Sequence, residues 1–290
     1  MRHDIARLTA CVREAMRDLE VFSLRELAEG FHSSVYLLND EWILRVANTD
    51  EAAIAYRREE FFLPVIKSCL TAHVPEPVTY KAEDVIFAVH PLIEGGTYTE
   101  MCEKGSGPTE RISNDIACFL TQLHQCNGLK YHSDIRHFSF VDSMQPDAIF
   151  DAAQYLKNYS TVKKEYEMFL LLAETCEKKE KVLVHGDLNY ANIIVKADHS
   201  GLAGIIDFSE LSYQIPEHDF SPLIKSDPET TIRIAEMYTG LTSCEININY
   251  VALCAKMRAY NGLANSIDAQ DDKKIRHFLK RLRVLEYFSF

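Results

Sequence analysis

A short polar segment separates two apolar runs in the stretch VLVHGDLNYANIIV, which spans Val182 to Val195. The apolar runs VLV and IIV predict two short buried strands, and we expect them to form a hairpin. Four polar residues lie between them: His185, Asp187, Asn189 and Asn192. Because polar groups are costly to place beside a buried core without a purpose, this segment indicates chemistry.

The spacing of these polar residues matches that of kinase catalytic loops, H-x-D-x-x-x-x-N, with Asp187 five positions before Asn192. Fifteen residues after Asn192, the apolar run in GIIDFS leads into Asp207 and a phenylalanine, as in the D-F-G element. Phosphoryl transfer needs positioning and neutralisation of phosphate charge more than covalent chemistry. Asp187 would orient an acceptor hydroxyl towards the terminal phosphate. Asn192 and Asp207 would offer oxygen ligands to Mg²⁺, and His185 would brace the loop.

The main alternative for this segment is structural. Asp and Asn side chains often satisfy the backbone of a turn between strands, and Asp187 and Asn192 would then do no more than that. The Asp-Phe pair downstream and a predicted sheet upstream favour phosphoryl transfer.

A kinase of this kind also needs a loop that covers the phosphates, and EGFHSSVY is the candidate. Its backbone N–H groups around Gly30, Ser33 and Ser34 would face phosphate oxygens. By itself the segment is an ordinary β-turn. The chain has no G-x-x-x-x-G-K-[ST] motif, which excludes a P-loop kinase.

The cation that contacts the phosphates is predicted to be Arg45. It lies in the strand WILRV, after a hairpin turn predicted at Asn39-Asp40. Alternation along the strand points Arg45 to the face opposite Leu44 and Val46. Its expected partner is Glu59 on the following helix, with Glu60 in reserve. The alternative is a surface arginine beside a solvated RREE helix turn.

The predicted elements change character near residues 90–96. Short β-rich runs with one inserted helix, from Thr49-Asp50 to about Leu70, precede this point, and mostly helical patterns follow it. One long helical segment is expected from about Asp151 to Cys176. We therefore predict an α+β fold, with an antiparallel nucleotide-binding sheet lobe over residues 1–93 and a larger helical lobe for catalysis and acceptor binding over residues 94–290.

Composition narrows the possible partners. The 290 residues carry a formal charge of −12, which argues against nucleic-acid binding because that requires a basic face. The charge permits a cationic small-molecule partner, although it is also explained by solubility alone. We expect a monomer with no nucleic-acid or membrane partner.

The cysteines and the N-terminus indicate a cellular compartment. None of the 8 cysteines forms a C-x-x-C pair, so we expect free thiols in a reducing cytoplasm and no zinc site. The N-terminal residues lack an apolar signal core, and no apolar run reaches the roughly 20 residues that cross a bilayer. We expect a cytoplasmic protein.

From about Leu24 to Asp219, the sequence resembles the aminoglycoside phosphotransferases, which share the protein-kinase fold. The resemblance rests on EGFHSSVYLLNDEWILRV, VPEPV, HPLIEGG, FLTQLHQ, HGDLNYANIIV and GIIDFSE. The order of the first two segments is most similar to the 2″-type aminoglycoside kinases. The resemblance implies a protein-kinase-like two-lobed fold and a transfer of phosphate from ATP or GTP to a hydroxyl.

The resemblance also implies residue roles. Asp187 is the implied catalytic aspartate, with Asn192 and Asp207 as magnesium ligands. Arg45 and Glu59 are the implied ion pair that positions the phosphates.

Further implied roles concern the nucleotide base and the catalytic loop. The backbone between His90 and Ile93 is expected to bind the purine edge, and Asp219 is expected to buttress the catalytic loop or to cap a helix. Arginine at position 45, where many members have lysine, and Ser209 after Asp-Phe leave the choice between ATP and GTP open.

The acceptor is the least determined part. A cationic, aminoglycoside-like acceptor would need carboxylates around Asp187, each of which is otherwise a solvated surface acid. The candidates are Glu210, Glu217, Asp268, Asp271, Asp272 and Glu286. A metabolite kinase of the same fold, with a choline-, homoserine- or sugar-like acceptor, and a pseudokinase that binds nucleotide without chemistry are the alternatives. A protein kinase is disfavoured because no A-P-E element follows DFSE.

Overall fold

The structure, a computed structural model, describes residues 4–30, 32–105, 107, 109–130, 132–137 and 139–290. The contacts divide the chain into two units. The first, here the sheet unit, comprises Met1–Gly95 and Ala203–Ser209, and the second, the helical unit, comprises Gly96–Leu202 and Glu210–Phe290. The boundary placed at residue 93 from the sequence lies two residues before this division, and that prediction did not anticipate that residues 203–209 belong with the sheet.

A five-stranded antiparallel sheet forms the sheet unit, in the order β1-β2-β3-β5-β4. Its strands are β1 (Leu24–Glu29), β2 (Ser33–Leu38), β3 (Trp42–Ala47), β4 (Val78–Ala82) and β5 (Val85–Pro91). The predicted turn at Asn39-Asp40 joins β2 to β3, and both residues have positive φ, 55° and 58°. This is the left-handed geometry that a two-residue hairpin turn requires.

Helices cover the two faces of this sheet. Helix α1 (Ile5–Ala15) buries Leu8 and Val12 against the face that carries Leu44 and Val46. Helix α2 (Asp50–Lys67) lies on the other face, where Tyr56 packs against Ala88. Because Arg45 alternates with Leu44 and Val46, it points to the α2 side.

The helical unit contains the remaining elements and part of one strand, β10, which continues into the sheet unit. Its helices are α3 (Tyr98–Glu103), α4 (Glu110–Gln125), α5 (Pro146–Tyr155), α6 (Tyr159–Cys176), α7 (Glu217–Ile224), α8 (Pro228–Thr242), α9 (Ile248–Asp268) and α10 (Asp272–Leu285). Its short strands are β6 (Gly96–Thr97), β7 (Arg136–His137), β8 (Val182–Val184), β9 (Ile193–Val195) and β11 (Ser212–Gln214). Of β10 (Leu202–Ile205), Leu202 belongs to this unit and the other residues to the sheet unit. Short 3-10 turns at Val141–Ser143 and Tyr190–Asn192 complete it. None of the helices in the described part of the chain reaches the length and hydropathy that a bilayer crossing requires.

Two predictions about this unit were wrong. The runs VLV and IIV do form strands, but they do not form a hairpin, because β8 pairs with β11 and β9 pairs with β6. The segment expected to be one long helix from about Asp151 to Cys176 is two helices, α5 and α6. The chain reverses between them at Lys157, whose φ is 55°, a conformation that no helix interior adopts.

The core of the helical unit lies between α5, α6 and α9. Phe169 of α6 stacks on Tyr250 of α9 with ring centroids 5.7 Å apart, and Ile149 of α5 is fully buried in the same cluster. This core fixes the position of α9, and α10 packs against α9 in turn. The two helices therefore form one side of the unit.

Candidate active site

The loop after β8 carries Asp187, and side chains of the same loop fix its position. Asn189 Nδ2 donates to Asp187 Oδ2 at 3.0 Å, and Asn192 Nδ2 donates to the Asp187 backbone carbonyl at 2.8 Å. Asn189 also accepts from the Ala191 N–H at 2.9 Å, which caps the 3-10 turn. One carboxylate oxygen of Asp187 is thereby held, and the other is available to a substrate proton.

A buried carboxylate, that of Asp219 in α7, anchors the loop through its backbone. It accepts from the N–H groups of His185 at 3.0 Å and Gly186 at 2.8 Å, and from His124 Nε2 at 3.1 Å. Burial raises the pKa of Asp219, but the hydrogen bonds from His124 and the loop outweigh burial and lower it overall. Pro216, not Asp219, occupies the N-cap position of α7. The helix-cap alternative is therefore excluded.

Gly186 permits the close approach of the loop to the neighbouring chain. Its φ is 87°, and a Cβ at this position would lie 2.5 Å from the Glu210 carbonyl oxygen. Glycine adopts this backbone region without a steric penalty, and other residues do not.

Replacing Gly186 with alanine is expected to lower the free energy of unfolding by about 3 kcal/mol, from the positive φ together with the clash. Urea denaturation measures this change. Gly240→Ala is the matched control, because Gly240 lies inside α8 and a Cβ there meets nothing within 4 Å. An equal loss of stability in both variants would contradict the assigned role of Gly186.

In the sheet unit, Arg45 lies between two carboxylates. Its Nη1 donates to Glu59 Oε2 at 2.6 Å, and its Nη2 lies 3.4 Å from Asp207 Oδ1. Burial disfavours the charge of Arg45, but Glu59 and Asp207 outweigh it and raise the pKa of the guanidinium. The guanidinium also lies 4.7 Å from the centroid of the Tyr56 ring. The reserve partner, Glu60, instead accepts from the Thr79 N–H at 3.2 Å.

Replacing Glu59 with glutamine is expected to destabilise the protein by about 3 kcal/mol, because a nearly buried arginine loses the closer of its two charged partners. It should also weaken nucleotide binding, since Arg45 is then held less firmly in its orientation. Thermal denaturation and calorimetric titration of nucleotide measure the two effects. Glu60→Gln is the control, since an amide oxygen can still accept from Thr79. If Glu59→Gln were as stable as Glu60→Gln, the ion pair between Arg45 and Glu59 would not stabilise the protein.

Asp207 itself stands in an uncommon backbone conformation. Its φ is 64°, and the side chain is 42% exposed. Aspartate tolerates the left-handed region better than most residues, at a cost. The conformation presents the carboxylate to solvent and to Arg45, while Phe208 is buried.

The two serines of the predicted phosphate loop begin β2. Tyr56 donates its hydroxyl to Ser33 Oγ at 2.7 Å, and Ser34 Oγ donates to Asn48 Oδ1 at 3.3 Å. Since these hydroxyls have partners inside the sheet unit, phosphate contacts at Ser33 and Ser34 would fall to backbone N–H groups. Phe31 of the same loop lies outside the described residues.

His90 and Ile93 bound the segment expected to contact a purine. Burial lowers the pKa of His90 to about 4, so its ring is neutral at physiological pH. The His90 Nδ1 lies 2.9 Å from the Pro91 carbonyl oxygen. The Ile93 side chain lies against Gly204, where a Cβ would be 3.0 Å from it.

The oxygen atoms of Asn192 and Asp207 suit a hard divalent cation. Because the Asn192 amide nitrogen donates to the Asp187 carbonyl, its amide oxygen is the atom left to bind a metal. Asp207 adds an anionic oxygen. Each of the two side chains offers an oxygen donor, without sulfur or imidazole, of the kind that Mg²⁺ prefers.

Comparison with known proteins decides the family. The profile of the phosphotransferase enzyme family, APH, matches residues 23–244. The chain belongs to this family. The predicted family and enzyme class, a phosphotransferase with an alcohol group as acceptor, are thereby confirmed.

Solved structures share the fold of this phosphotransferase. The GDP complex of aminoglycoside 2′-phosphotransferase-IIIa is 18% identical, with a TM-score of 0.79 over 98% of each chain. The gentamicin complex of APH(2″)-IIa is 19% identical, with a TM-score of 0.72 over 100% of this chain and 98% of the other. Macrolide 2′-phosphotransferase type I is 16% identical, with a TM-score of 0.69 over 95% of each chain. The predicted α+β, protein-kinase-like fold is confirmed.

The acidic residues proposed from the sequence to surround Asp187 do not form one group in this phosphotransferase. Glu217 is 1% exposed and forms an ion pair with Lys179, so it is closed to an acceptor. Asp271 caps α10 by accepting from the Lys274 N–H at 3.0 Å. Of the six candidates, Glu210 lines the cavity beside Asp187.

Cations that the sequence analysis did not single out line this cavity. They come from the C-terminal end of α7, from α9 and from α10: Lys225, Arg258 and Arg281. The positions lie 33 and 23 residues apart along the chain and show no motif. Only the packing of the three helices brings them together.

Proposed function

We propose that this phosphotransferase transfers the γ-phosphate of ATP or GTP to a hydroxyl group of a small molecule, in a Mg²⁺-dependent reaction. The acceptor oxygen bonds to the γ-phosphorus, the bond from phosphorus to the bridging oxygen breaks, and the nucleoside diphosphate leaves. The hydroxyl proton passes to the Asp187 carboxylate. The solved relatives that bind GDP or ATP support a nucleotide as the donor.

The observation that carries this proposal is the fixed carboxylate of Asp187. Asn189 holds one oxygen, Asn192 holds the backbone, and Asp219 anchors the two preceding N–H groups. A side chain that orients a reacting hydroxyl must be held in place before the substrate arrives. A turn that merely joins two strands does not need this many constraints.

Several of the predicted site residues support nucleotide binding. Arg45, oriented by Glu59, would contact the phosphates, and the backbone from His90 to Ile93 would contact the base. Asn192 and Asp207 would hold Mg²⁺, which neutralises phosphate charge when bound. Ser33 and Ser34 would offer backbone N–H groups to phosphate oxygens.

The acceptor has two candidate classes. A cationic aminoglycoside is supported by relatives solved with gentamicin and streptomycin and by the formal charge of −12. A smaller metabolite is supported by the cations beside Asp187, which would repel a polycation. The local charge at the reacting residue favours the metabolite, because interactions between charges weaken with distance and with salt.

A screen of acceptors with ATP and GTP in parallel tests the proposal. Nucleotide consumption that depends on an added hydroxyl compound and on Mg²⁺ is the expected result. If nucleotide binds but no acceptor among aminoglycosides, amino alcohols, hydroxy acids and sugars is phosphorylated, the pseudokinase alternative gains support. Phosphorylation that persists without Asp187 would contradict the assigned role of this residue.

A further inference from the structure

A cavity of about 340 Å³ opens beside Asp187 within the helical unit. Lys225, Arg258 and Arg281 line it, each from a different helix. Phe278 of α10 closes one side. The whole chain has 31 basic and 43 acidic residues, so three cations around one cavity do not reflect a generally basic surface.

The side chains that contact these cations are mostly uncharged. Arg258 lies 2.7 Å from His218 Nε2, and its guanidinium is 4.7 Å from the centroid of the Phe140 ring. Arg281 lies 5.7 Å from the centroid of the Phe278 ring. Burial lowers the pKa of His218 far below its ordinary value, so this ring is neutral.

Nearby carboxylates offset the charge of the cluster without forming ion pairs with it. Within the described ranges, no carboxylate oxygen lies within 4.0 Å of a side-chain nitrogen of Lys225, Arg258 or Arg281. Glu210 also lines the cavity, but it pairs with Arg136 at 3.3 Å. Asp187 is then the remaining acid of the cavity, facing three cations.

The surroundings of these cations are correspondingly unfavourable to their charges. Burial, together with the nearby Arg281 and Arg258, lowers the pKa of Lys225 to about 7, although Asp187 opposes this shift. Burial also lowers the pKa of both arginines. An anion in the cavity would reverse these effects, because an opposite charge favours the protonated form.

We propose that this cavity binds an anionic group of the acceptor, a carboxylate or a phosphate, and thereby directs the acceptor hydroxyl to Asp187. The inference rests on the proposed function, of which it specifies the substrate class. The geometry that carries it is the convergence of Lys225, Arg258 and Arg281 on one cavity that also contains Asp187.

The nucleotide phosphates are the other possible anion. Arg45, the cation assigned to them, has its two carboxylate partners in the sheet unit, whereas the residues that line the cavity belong to the helical unit. A titration with the nucleotide site filled distinguishes the two anions.

Sulfate is a suitable probe, because it carries two negative charges throughout the neutral pH range. In an NMR titration of protein saturated with a non-hydrolysable Mg-ATP analogue, which fills the γ-phosphate position, sulfate should bind the wild type. Arg281→Gln and Lys225→Gln should each weaken binding about tenfold or more, since each removes one charge-assisted hydrogen bond. Arg276→Gln is the control: it removes an exposed arginine from α10, the helix that carries Arg281, and should leave sulfate binding unchanged.

The pH dependence gives a readout that a structural role would not produce. Lys225 is protonated below its lowered pKa of about 7, so sulfate binding should weaken as the pH rises through that value. The neighbouring charged groups are Asp187, Glu210, Arg258 and Arg281. The other titratable neighbour, His277 of α10, has a pKa lowered by burial, so it is already neutral over the pH range in which Lys225 loses its proton. In Lys225→Gln this dependence should be flattened.

Enzymatic turnover with matched acceptors provides a second test of the anion-binding cavity. Homoserine and 3-amino-1-propanol share a hydroxyl and an amine and differ by the carboxylate, so they form a matched acceptor pair. We expect phosphorylation to favour the carboxylate-bearing member, and Arg281→Gln to raise its KM about tenfold with little change in kcat or in the KM of the nucleotide. Melting temperatures of the variants exclude unfolding as the cause.

Several outcomes would overturn the inference. These are an absence of sulfate binding, sulfate binding that the Mg-ATP analogue displaces, an equal effect of Arg276→Gln and Arg281→Gln, or turnover of an uncharged or cationic acceptor with a KM that Arg281→Gln leaves unchanged. Failure of the proposed function looks different: Mg-nucleotide does not bind, or phosphorylation survives Asp187→Asn.

Discussion

Replacing Asp187 with asparagine is expected to reduce kcat at least about a thousandfold while Mg-nucleotide still binds. Asparagine has nearly the same shape and can still accept from Asn189, so the loop should keep its conformation. It cannot take the proton of the acceptor hydroxyl, because a neutral amide is a very weak base. Initial rates under saturating substrates and calorimetric titration of the nucleotide measure the two quantities.

The fall in kcat supports a catalytic role only if it is specific to position 187. Asp147→Asn serves as the control, since Asp147 is an exposed aspartate in the first turn of α5. We expect full activity from it. Should the Asp187 variant retain more than about a tenth of the wild-type kcat, proton acceptance by this carboxylate would not be part of the reaction.

Short-range patterns in the chain were sufficient to predict the candidate catalytic loop. The spacing of Asp187 and Asn192 is a local property, and so is the Asp-Phe pair at Asp207. The hairpin turn at Asn39-Asp40 was equally accessible, because residues that tolerate positive φ are few. These features depend on neighbours within a few positions along the chain.

The strand partners of the loop depend on distant segments. The strands β8 and β9 are three residues long each, which is too short to carry a register signal of their own. Two of their partners, β11 and β6, lie far away in sequence. An apolar run predicts that a strand is buried, but tertiary packing decides which strand pairs with it.

Long-range contacts also explain the residues that the sequence analysis missed or could not place. His124 and Asp219 are 95 positions apart and meet in the interior, where the histidine holds the carboxylate that anchors the loop. Lys225, Arg258 and Arg281 each resemble an ordinary surface cation on a helix. Their common cavity arises only when α7, α9 and α10 pack together.

The cations that the packing gathers beside Asp187 change which acceptor we expect. Net charge describes the protein as a whole and affects solubility and long-range attraction. Recognition at a reacting hydroxyl depends on the few groups within about one Debye length of it. At Asp187 those groups are mainly cationic, although the chain is acidic. The cationic acceptor expected from the sequence therefore stays a prediction, and the acceptor screen tests it directly.

Replacing Asp207 with alanine is expected to lower kcat/KM by about a thousandfold and to remove the Mg²⁺ dependence of nucleotide binding. In the wild type, titrations with Mg²⁺ and with a chelator should give clearly different affinities. In the variant the two affinities should converge, because an anionic oxygen ligand is missing. The salt link from Asp207 to Arg45 is also lost, but Glu59 still holds the guanidinium at 2.6 Å.

The backbone of Asp207 requires a control of its own. Alanine at a φ of 64° has a conformational cost that is unrelated to metal binding. Asp40→Ala imposes a similar cost, since Asp40 is exposed in the hairpin turn with a φ of 58°. We expect it to lose some stability and to keep its Mg²⁺-dependent affinity. If the two variants bound Mg-nucleotide equally well, Asp207 would not be a magnesium ligand, and its contact with Arg45 would be purely structural.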